Sequence, residues 1–409
     1  MLTQTLRPML AEQYSDMLAQ DFRLRNVLLS SYSHTFSDLA QFDQRMYAYQ
    51  EGMMLLKEQS SDYLLRQLQE PLSAGELFSI TLFATNANDK FLLSGCLGLV
   101  QALPHLLPAL CSAINWMPAQ SDLWPMVLSL PACMAYAAAT RNDQTASAMF
   151  SKQDILALIE QGRCVDFLLN ILYRSASPLF VPTLETVFSS GRDDLILQGG
   201  RAVLCSNLPL NEYTKTATRH LHQLTRSKKS DIRTLAVKYL LTSRPETSRT
   251  LINSLDEERA DTRLLIRAMG WSGLAEYIPS LMAYFDIPEY ARLSALSVIS
   301  ITGSLPEQDG WQHKKDEEMP AQVISETADI PESYPEQGMC WPERTAFDCW
   351  WHSHRSNFSS NTHYLAGQLT TQEGLNTVLK QGYLNLRPLA LMRMGGFSER
   401  AARPATSQV

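Results

Sequence analysis

One pattern recurs three times between about Ser227 and Gly303, and it limits what the chain can fold into more than any other feature. It reads Ser230-Asp231-Ile232-Arg233-Thr234-Leu235-Ala236-Val237, then Ala260-Asp261-Thr262-Arg263-Leu264-Leu265-Ile266-Arg267, and more loosely Pro288-Glu289-Tyr290-Ala291-Arg292-Leu293-Ser294-Ala295. The arginines fall at 233, 263 and 292, so the steps are 30 and 29 residues. A fixed period of that size marks an architecture of stacked units.

The chemistry of each copy is that of a helix start. An acidic residue sits where its oxygen can accept from free backbone N–H groups, and an apolar run at helical spacing follows. A further helix is expected before each copy, over 213–225, 246–255 and 275–285. Two antiparallel helices per unit, with an acid and then an arginine opening the second, resemble a HEAT-type repeat. One such unit cannot bury its own apolar stripe, so neighbours must stack. The fold expected is all-α: a HEAT-like α-solenoid of stacked antiparallel helix pairs with N- and C-terminal helical caps. Asp231, Arg233, Asp261, Arg263 and Arg292 are expected to act as caps and as a structural ladder between repeats rather than as catalytic groups.

The rest of the chain divides around this array. Residues 1–70 read as an N-terminal helical segment, with Leu39, Phe42, Met46, Tyr49 and Met53 at steps of three and four. Pro71 interrupts it, and Ser73 with Glu76 forms a capping box for the next helix. The solenoid is assigned to 71–303. Between residues 91 and 140 the only charge is Asp122. Two membrane spans would need about 20 apolar residues each. Five prolines and the polar Gln101, His105 and Asn115 argue instead for central helices covered on both sides by neighbours. Residues 304–340 carry nine acids against Lys314 and Lys315, with four prolines, and read as an acidic linker, partly disordered. Residues 341–409 read as a Trp-rich helical cap. It starts with Pro342 at a helix N1 position and continues with a capping box from Thr370 to Glu373, a C-cap at Gly382 and a last helix from Arg387.

The seven cysteines are scattered with no C-x-x-C pair, and the N-terminus lacks the apolar core of a signal peptide. Both point to a reducing, cytoplasmic setting. No P-loop, G-x-G-x-x-G, G-x-S-x-G or H-E-x-x-H occurs, so nothing positive argues for catalysis or for a cofactor. Cys349, His352, His354 and His363 are the only group resembling metal ligands. Positions 352 and 354 point about 200° apart on a helix, so no metal site is assigned. Asp43 and Arg45 do not face each other on a helix, and each is expected to pair with a neighbouring helix.

The segment from Lys215 to Arg249 holds nine basic residues against two acidic ones, in a chain whose net charge is −7. Solvated helix faces account for many such runs. As a functional surface it would bind an acidic partner, the chain's own acidic linker, or nucleic-acid phosphates. Only Tyr239 within it and Tyr213 just before it could stack on bases, so a protein is favoured and nucleic acid disfavoured. The candidate partner-binding residues are Arg219, Arg226, Lys228, Lys229, Arg233, Lys238, Trp341, Trp350 and Trp351.

Four segments in order resemble an uncharacterised bacterial HEAT-like family whose genes lie among those of type VI secretion. They are Leu39 through Met53, Ala291-Arg292 through Gly303, Cys340-Trp341-Pro342 with Trp350-Trp351, and His363 through Gly367 with Gly382-Tyr383. The chain departs from that pattern at Tyr49, Glu51 and Leu384-Asn385-Leu386, where His, Asp and an Arg-rich run would be expected. The resemblance implies a genetic neighbourhood, not a reaction. Taken together with the long concave face of a solenoid and the absence of catalytic motifs, that neighbourhood makes the first expectation a non-enzymatic scaffold that binds a type VI secretion effector or component. Such a scaffold would serve as a toxin-neutralising (immunity) protein or an effector adaptor or chaperone. The alternative is a HEAT-like nucleic-acid-binding or DNA-repair protein using residues 215–249.

Overall fold

Helix-forming patterns dominate the sequence, and the computed structural model of the chain is accordingly helical. It describes residues 2–118, 120–141, 150–205, 211–257, 261–313, 336, 339, 341–397 and 403–404, with the side chains of 2–5 excepted. Ala260 of the second repeat copy and most of the acidic segment lie outside the described residues. Those described contain almost no sheet: one hairpin of two-residue strands and two isolated bridges. The chain forms two compact units, Met1–Leu29 with His34–Ala202 and Glu399–Val409, and Ser30–Ser33 with Val203–Ser398. These do not follow the boundaries expected from composition. The 71–303 stretch contributes to both, and residues 341–398 are built into the second unit instead of standing apart as a cap.

The first unit contains α1 (Leu2–Leu29), α2 (Phe36–Leu55), α3 (Lys57–Gln67), α4 (Ala74–Ala87), α5 (Lys90–Ala102), α6 (Leu107–Ile114), α7 (Trp124–Leu128), α8 (Pro131–Arg141), α9 (Lys152–Gln161), α10 (Val165–Arg174), α11 (Phe180–Ser189) and most of α12 (Asp193–Leu204). The capping box forms as read: Ser73 Oγ accepts from Glu76 N and the Glu76 carboxylate from Ser73 N. The helix it starts is apolar on nearly every side, and eleven of its 14 residues are buried against α1, α2, α5 and α6. The uncharged stretch becomes α5–α8. No single described helix is long and apolar enough to cross a membrane. The pair formed by α5 and Pro104–Ile114 is bent by 117°, and α6 is buried along most of its length.

Three arginine–aspartate pairs tie these helices together. Arg25 of α1 meets Asp43 of α2 at 2.6 Å with both side chains buried, and its guanidinium also lies 5.3 Å from the Trp116 ring. Arg45 of α2 meets Asp21 of α1 at 2.7 Å, half in solvent. Arg201 of α12 meets Asp166 of α10 at 2.7 Å. Asp43 and Arg45 thus each pair across to the neighbouring helix. Removing one partner of a buried pair leaves the other charge without compensation, which costs about 3–5 kcal/mol, whereas a half-exposed pair is worth under about 1 kcal/mol. Asp43→Ala should therefore lower unfolding stability several-fold more than Arg45→Ala does, as measured by urea titration.

The second unit contains α13 (Glu212–Leu224), α14 (Ser230–Ser243), α15 (Ser248–Glu257), α16 (Thr262–Ser272), α17 (Ile278–Met282), α18 (Pro288–Thr302), α19 (Pro306–Asp309), α20 (Arg344–His354), α21 (Gln372–Gln381) and α22 (Arg387–Arg393), with strands β1 (Tyr364–Leu365) and β2 (Gln368–Leu369). The three repeat copies are α14, α16 and α18. Each packs on the helix before it, α14 packs on α16, and α16 on α18. The last pair comes close at Gly270, where an added Cβ would sit 2.7 Å from the Ser297 Cβ. The Ser297 hydroxyl uses that closeness to donate to Ile266 O at 3.0 Å.

The start of the expected linker belongs to the core. Ser304, Leu305, Pro306 and Trp311 are buried, Trp311 completely. Trp311 Nε1 donates to Ser304 Oγ at 2.8 Å, and the Asp309 carboxylate accepts from Ser304 Oγ and Leu305 N. Trp311 stacks on Phe285 and meets Phe347 edge-on. An antiparallel bridge between Gln312 and Pro342 then closes the acidic segment at its base. Pro342 is therefore not at helix position N1. Glu343 caps α20 by accepting from Thr345 N and Ala346 N. Likewise Thr371, not Thr370, caps α21.

The ends of α16 and α18 decide where the C-terminal residues go. A helix leaves its last carbonyls without internal donors. Both helices end in left-handed glycines, Gly273 (φ +73°) and Gly303 (φ +74°), and the β1–β2 hairpin lies against them. Tyr364 N donates to Gly273 O at 2.8 Å, Ala366 N to Ser300 O at 2.8 Å and Gly367 N to Ile301 O at 2.9 Å. His363 Nδ1 donates to Ser272 O and Arg393 Nη2 to Trp271 O, each at 2.7 Å. A Cβ at Gly303 would stand 2.7 Å from Ala366 O, on a backbone that L-residues adopt at a cost of about 1–2 kcal/mol. Gly303→Ala is expected to destabilise the protein by at least that amount in chemical denaturation.

Candidate functional site

The basic segment maps to α13, α14 and the turn between them. Lys215 and Arg219 are exposed along α13, and Arg226, Lys228 and Lys229 are exposed in the turn. Among the described residues no ion pair engages Lys215, Arg219, Lys228 or Lys229. Lys229 is the N-cap residue of α14 and gives no side-chain cap. Two lysines at a helix N-terminus oppose the field of the peptide dipoles. Helix stability therefore does not account for them. Arg249 and Arg244, by contrast, are used locally: Arg249 pairs with Glu276 at 2.7 Å and donates to Ser360 O and Asn361 Oδ1, and Arg244 lies 3.7 Å from Glu246.

The repeat arginines sit near the starts of α14, α16 and α18, but they are not joined by the aspartates of the pattern. Asp261 caps α16 by accepting from Arg263 N at 2.9 Å, while Asp231 lies exposed in the first turn of α14. Neither aspartate forms an ion pair among the described residues, so the ladder is not made of Asp–Arg rungs. Arg263 instead reaches the next helix through its main chain, donating to Glu289 O at 3.2 Å, and forms an ion pair with Glu336. Glu336 comes from the acidic segment and is 4% exposed. The Arg292 guanidinium lies 4.8 Å from the centre of the Trp341 ring. Burial pushes its pKa down, Tyr32 opposes this, and the charge of Arg263 adds to it. Arg233 is half-buried on α14, and Lys238 lies 5.8 Å from the Trp271 ring.

Of the three tryptophans named from sequence, only Trp341 stands beside a repeat arginine. Trp350 is sandwiched between Phe347 and His354 and Trp351 packs on Phe358; both are half-buried, and among the described residues neither ring meets a cation of the basic segment. Beside Trp341 and Arg344 opens a cleft of about 290 Å³, lined also by Phe285, Asp286, Pro288 and His313. An Arg344–Asp286 ion pair stands on its lining. Sequence reasoning missed Trp311 and Glu336. A lone tryptophan in an otherwise polar, acidic stretch was the available signal for the first. Nothing distinguishes Glu336 in sequence from the eight other acids around it.

No metal centre assembles. Among the described residues no three His, Cys, Asp or Glu side chains converge, and His352, His354 and His363 each donate to a different main-chain carbonyl. Compared with known proteins, the chain matches no family model, no curated protein and no solved structure.

Three histidines of this unit carry a pH dependence. Burial lowers the pKa of His220, His222 and His363 below the usual 6.5, with Arg219 adding to the effect at His220. The folded unit holds them neutral, so below about pH 6.5 the unfolded chain binds more protons and stability falls. Their contribution is complete above pH 6.5 and is lost as pH drops through the folded-state values. The melting temperature should fall from pH 7.5 to pH 5.5, and His363→Gln should shrink that fall.

Proposed function

We propose that this protein is a non-enzymatic scaffold, a HEAT-like solenoid whose basic edge at α13–α14 grips an acidic protein. The observation that carries the reading is the set of exposed cations, Lys215, Arg219, Lys228 and Lys229, which have no carboxylate partner among the described residues and lie in part against a helix dipole. The successive packing of α14, α16 and α18, each on its preceding helix, supports the solenoid. A solenoid face is long enough for the roughly 1,600 Å² of a standard interface. Following the family resemblance, the partner is a type VI secretion effector or component, which the scaffold neutralises or holds for loading.

Nucleic acid fits this edge less well. Tyr239 is buried and Tyr213 half-buried, so the basic segment offers no platform on which bases would stack.

The test is capture of the product of an adjacent gene by the full chain. Lys228→Glu with Lys229→Glu should weaken that capture at least tenfold and reduce its dependence on salt. Unchanged capture by the double variant would remove the α13–α14 edge from the reading. A DNA duplex supplies the opposite outcome: contact with six phosphates would give a log–log salt slope of about −5, while absence of binding at low salt removes the nucleic-acid alternative. Deletion in the producing strain separates the two roles, since loss of an immunity protein makes cells sensitive to their sisters and loss of an adaptor makes them harmless to rivals.

A further inference from the structure

The second unit already holds one acidic side chain from the 304–340 stretch, Glu336. Glu336 reaches Arg263 with both side chains largely removed from solvent, at 5% and 15% exposure. Only one of its oxygens is used: Oε2 is buried without a hydrogen-bond donor among the described residues. A buried carboxylate stays put when all its lone pairs are met, and one left half-satisfied is held less firmly than its surroundings could hold a carboxylate. Around it the receiving groups are set in place. Arg263 is oriented by its bond to Glu289 O, and Arg292, close enough to Arg263 to feel its charge, has Trp341 against its face. The base of the segment is pinned by His313 N donating to Trp341 O and Glu343 N to Trp311 O. Glu336 lies five residues before Trp341, which keeps it close to Arg263 by covalent connection alone.

We infer that Arg263, with Arg292 and Trp341, forms a carboxylate-accepting site for an acidic peptide segment, filled in the free chain by Glu336 and taken over by the partner's own acidic segment. This rests on the reading of the partner as acidic. It adds a second point of contact besides the α13–α14 edge, and it makes binding compete with an internal ligand. A short tether gives such a ligand an effective concentration of about 1 mM, so the site is masked against weak or isolated carboxylates and opens to a partner that binds at both places.

The test uses a fluorescently labelled peptide copying residues 331–340, with serine in place of the cysteine, titrated against the full chain. Glu336→Gln in the protein should tighten peptide binding about tenfold by removing the internal competitor. The same peptide carrying Glu336→Gln should lose that binding, and adding Arg263→Gln to the unmasked protein should abolish the gain. Equal binding by the parent and Glu336→Gln proteins overturns the inference, as does equal binding of the two peptides; the latter does not depend on how any protein variant folds. Lys228→Glu with Lys229→Glu should leave the peptide titration unchanged. If those changes spare partner capture while the peptide results hold, the α13–α14 reading fails alone.

Discussion

The unmet carbonyls at the ends of α16 and α18 govern how the second unit is assembled. Both helices close on a left-handed glycine, which turns the chain away and leaves several acceptors facing outward. Buried acceptors need donors. The donors come from Tyr364, Ala366 and Gly367, more than 60 residues further along, with His363 and Arg393 completing the set. Once that hairpin is seated, α21 and α22 follow, and Leu375, Val378, Leu386 and Leu389 form one apolar cluster with Trp271 packed against it. The C-terminal residues therefore complete the repeat array's helices instead of sitting beside them.

Much of this was legible in the sequence because helix periodicity and capping chemistry are local. The helices expected at 213–225 and around the three acid–arginine copies are present, and so is the capping box at Ser73 and Glu76. Adjacent candidates for the same cap were not separable. Thr370 and Thr371 offer the same oxygen, and only the fold places Thr371 within reach of Gly374 N. The division of the chain was illegible for a different reason. Composition marks where polarity changes, but units are defined by which surfaces meet, and nothing in the uniform apolar patterning from 151 to 205 announces that contacts change partners inside α12.

The candidate site was legible as charge and not as geometry. The basic excess at 215–249 and the acid excess at 304–340 are both visible as counts, and so is the possibility that they attract. The structure gives the acid a more specific address. Glu336 reaches a repeat arginine on α16, while the lysines of the α13–α14 turn stay in solvent. Asp261 illustrates the same limit. Its type and spacing suit either a cap or a rung, and its proximity to Arg263 N makes it the cap. The tryptophans near the C-terminus show the same limit, because an aromatic cluster has one sequence signature whether it faces a partner or packs, as Trp350 and Trp351 do in part, on its own neighbours.

The bridge between Gln312 and Pro342 also bears on how this chain can change over time. It encloses 27 residues between His313 and Trp341. Both ends are held by main-chain bonds, His313 N to Trp341 O and Glu343 N to Trp311 O, so what the core sees of this stretch is its two ends and not its length. Most of that stretch can thus drift in length and composition while the surrounding helices stay intact. The few residues from Glu336 to the bridge cannot, since their spacing is what delivers a carboxylate to Arg263. Selection would act on those few positions while leaving the remainder of the segment largely free to diverge.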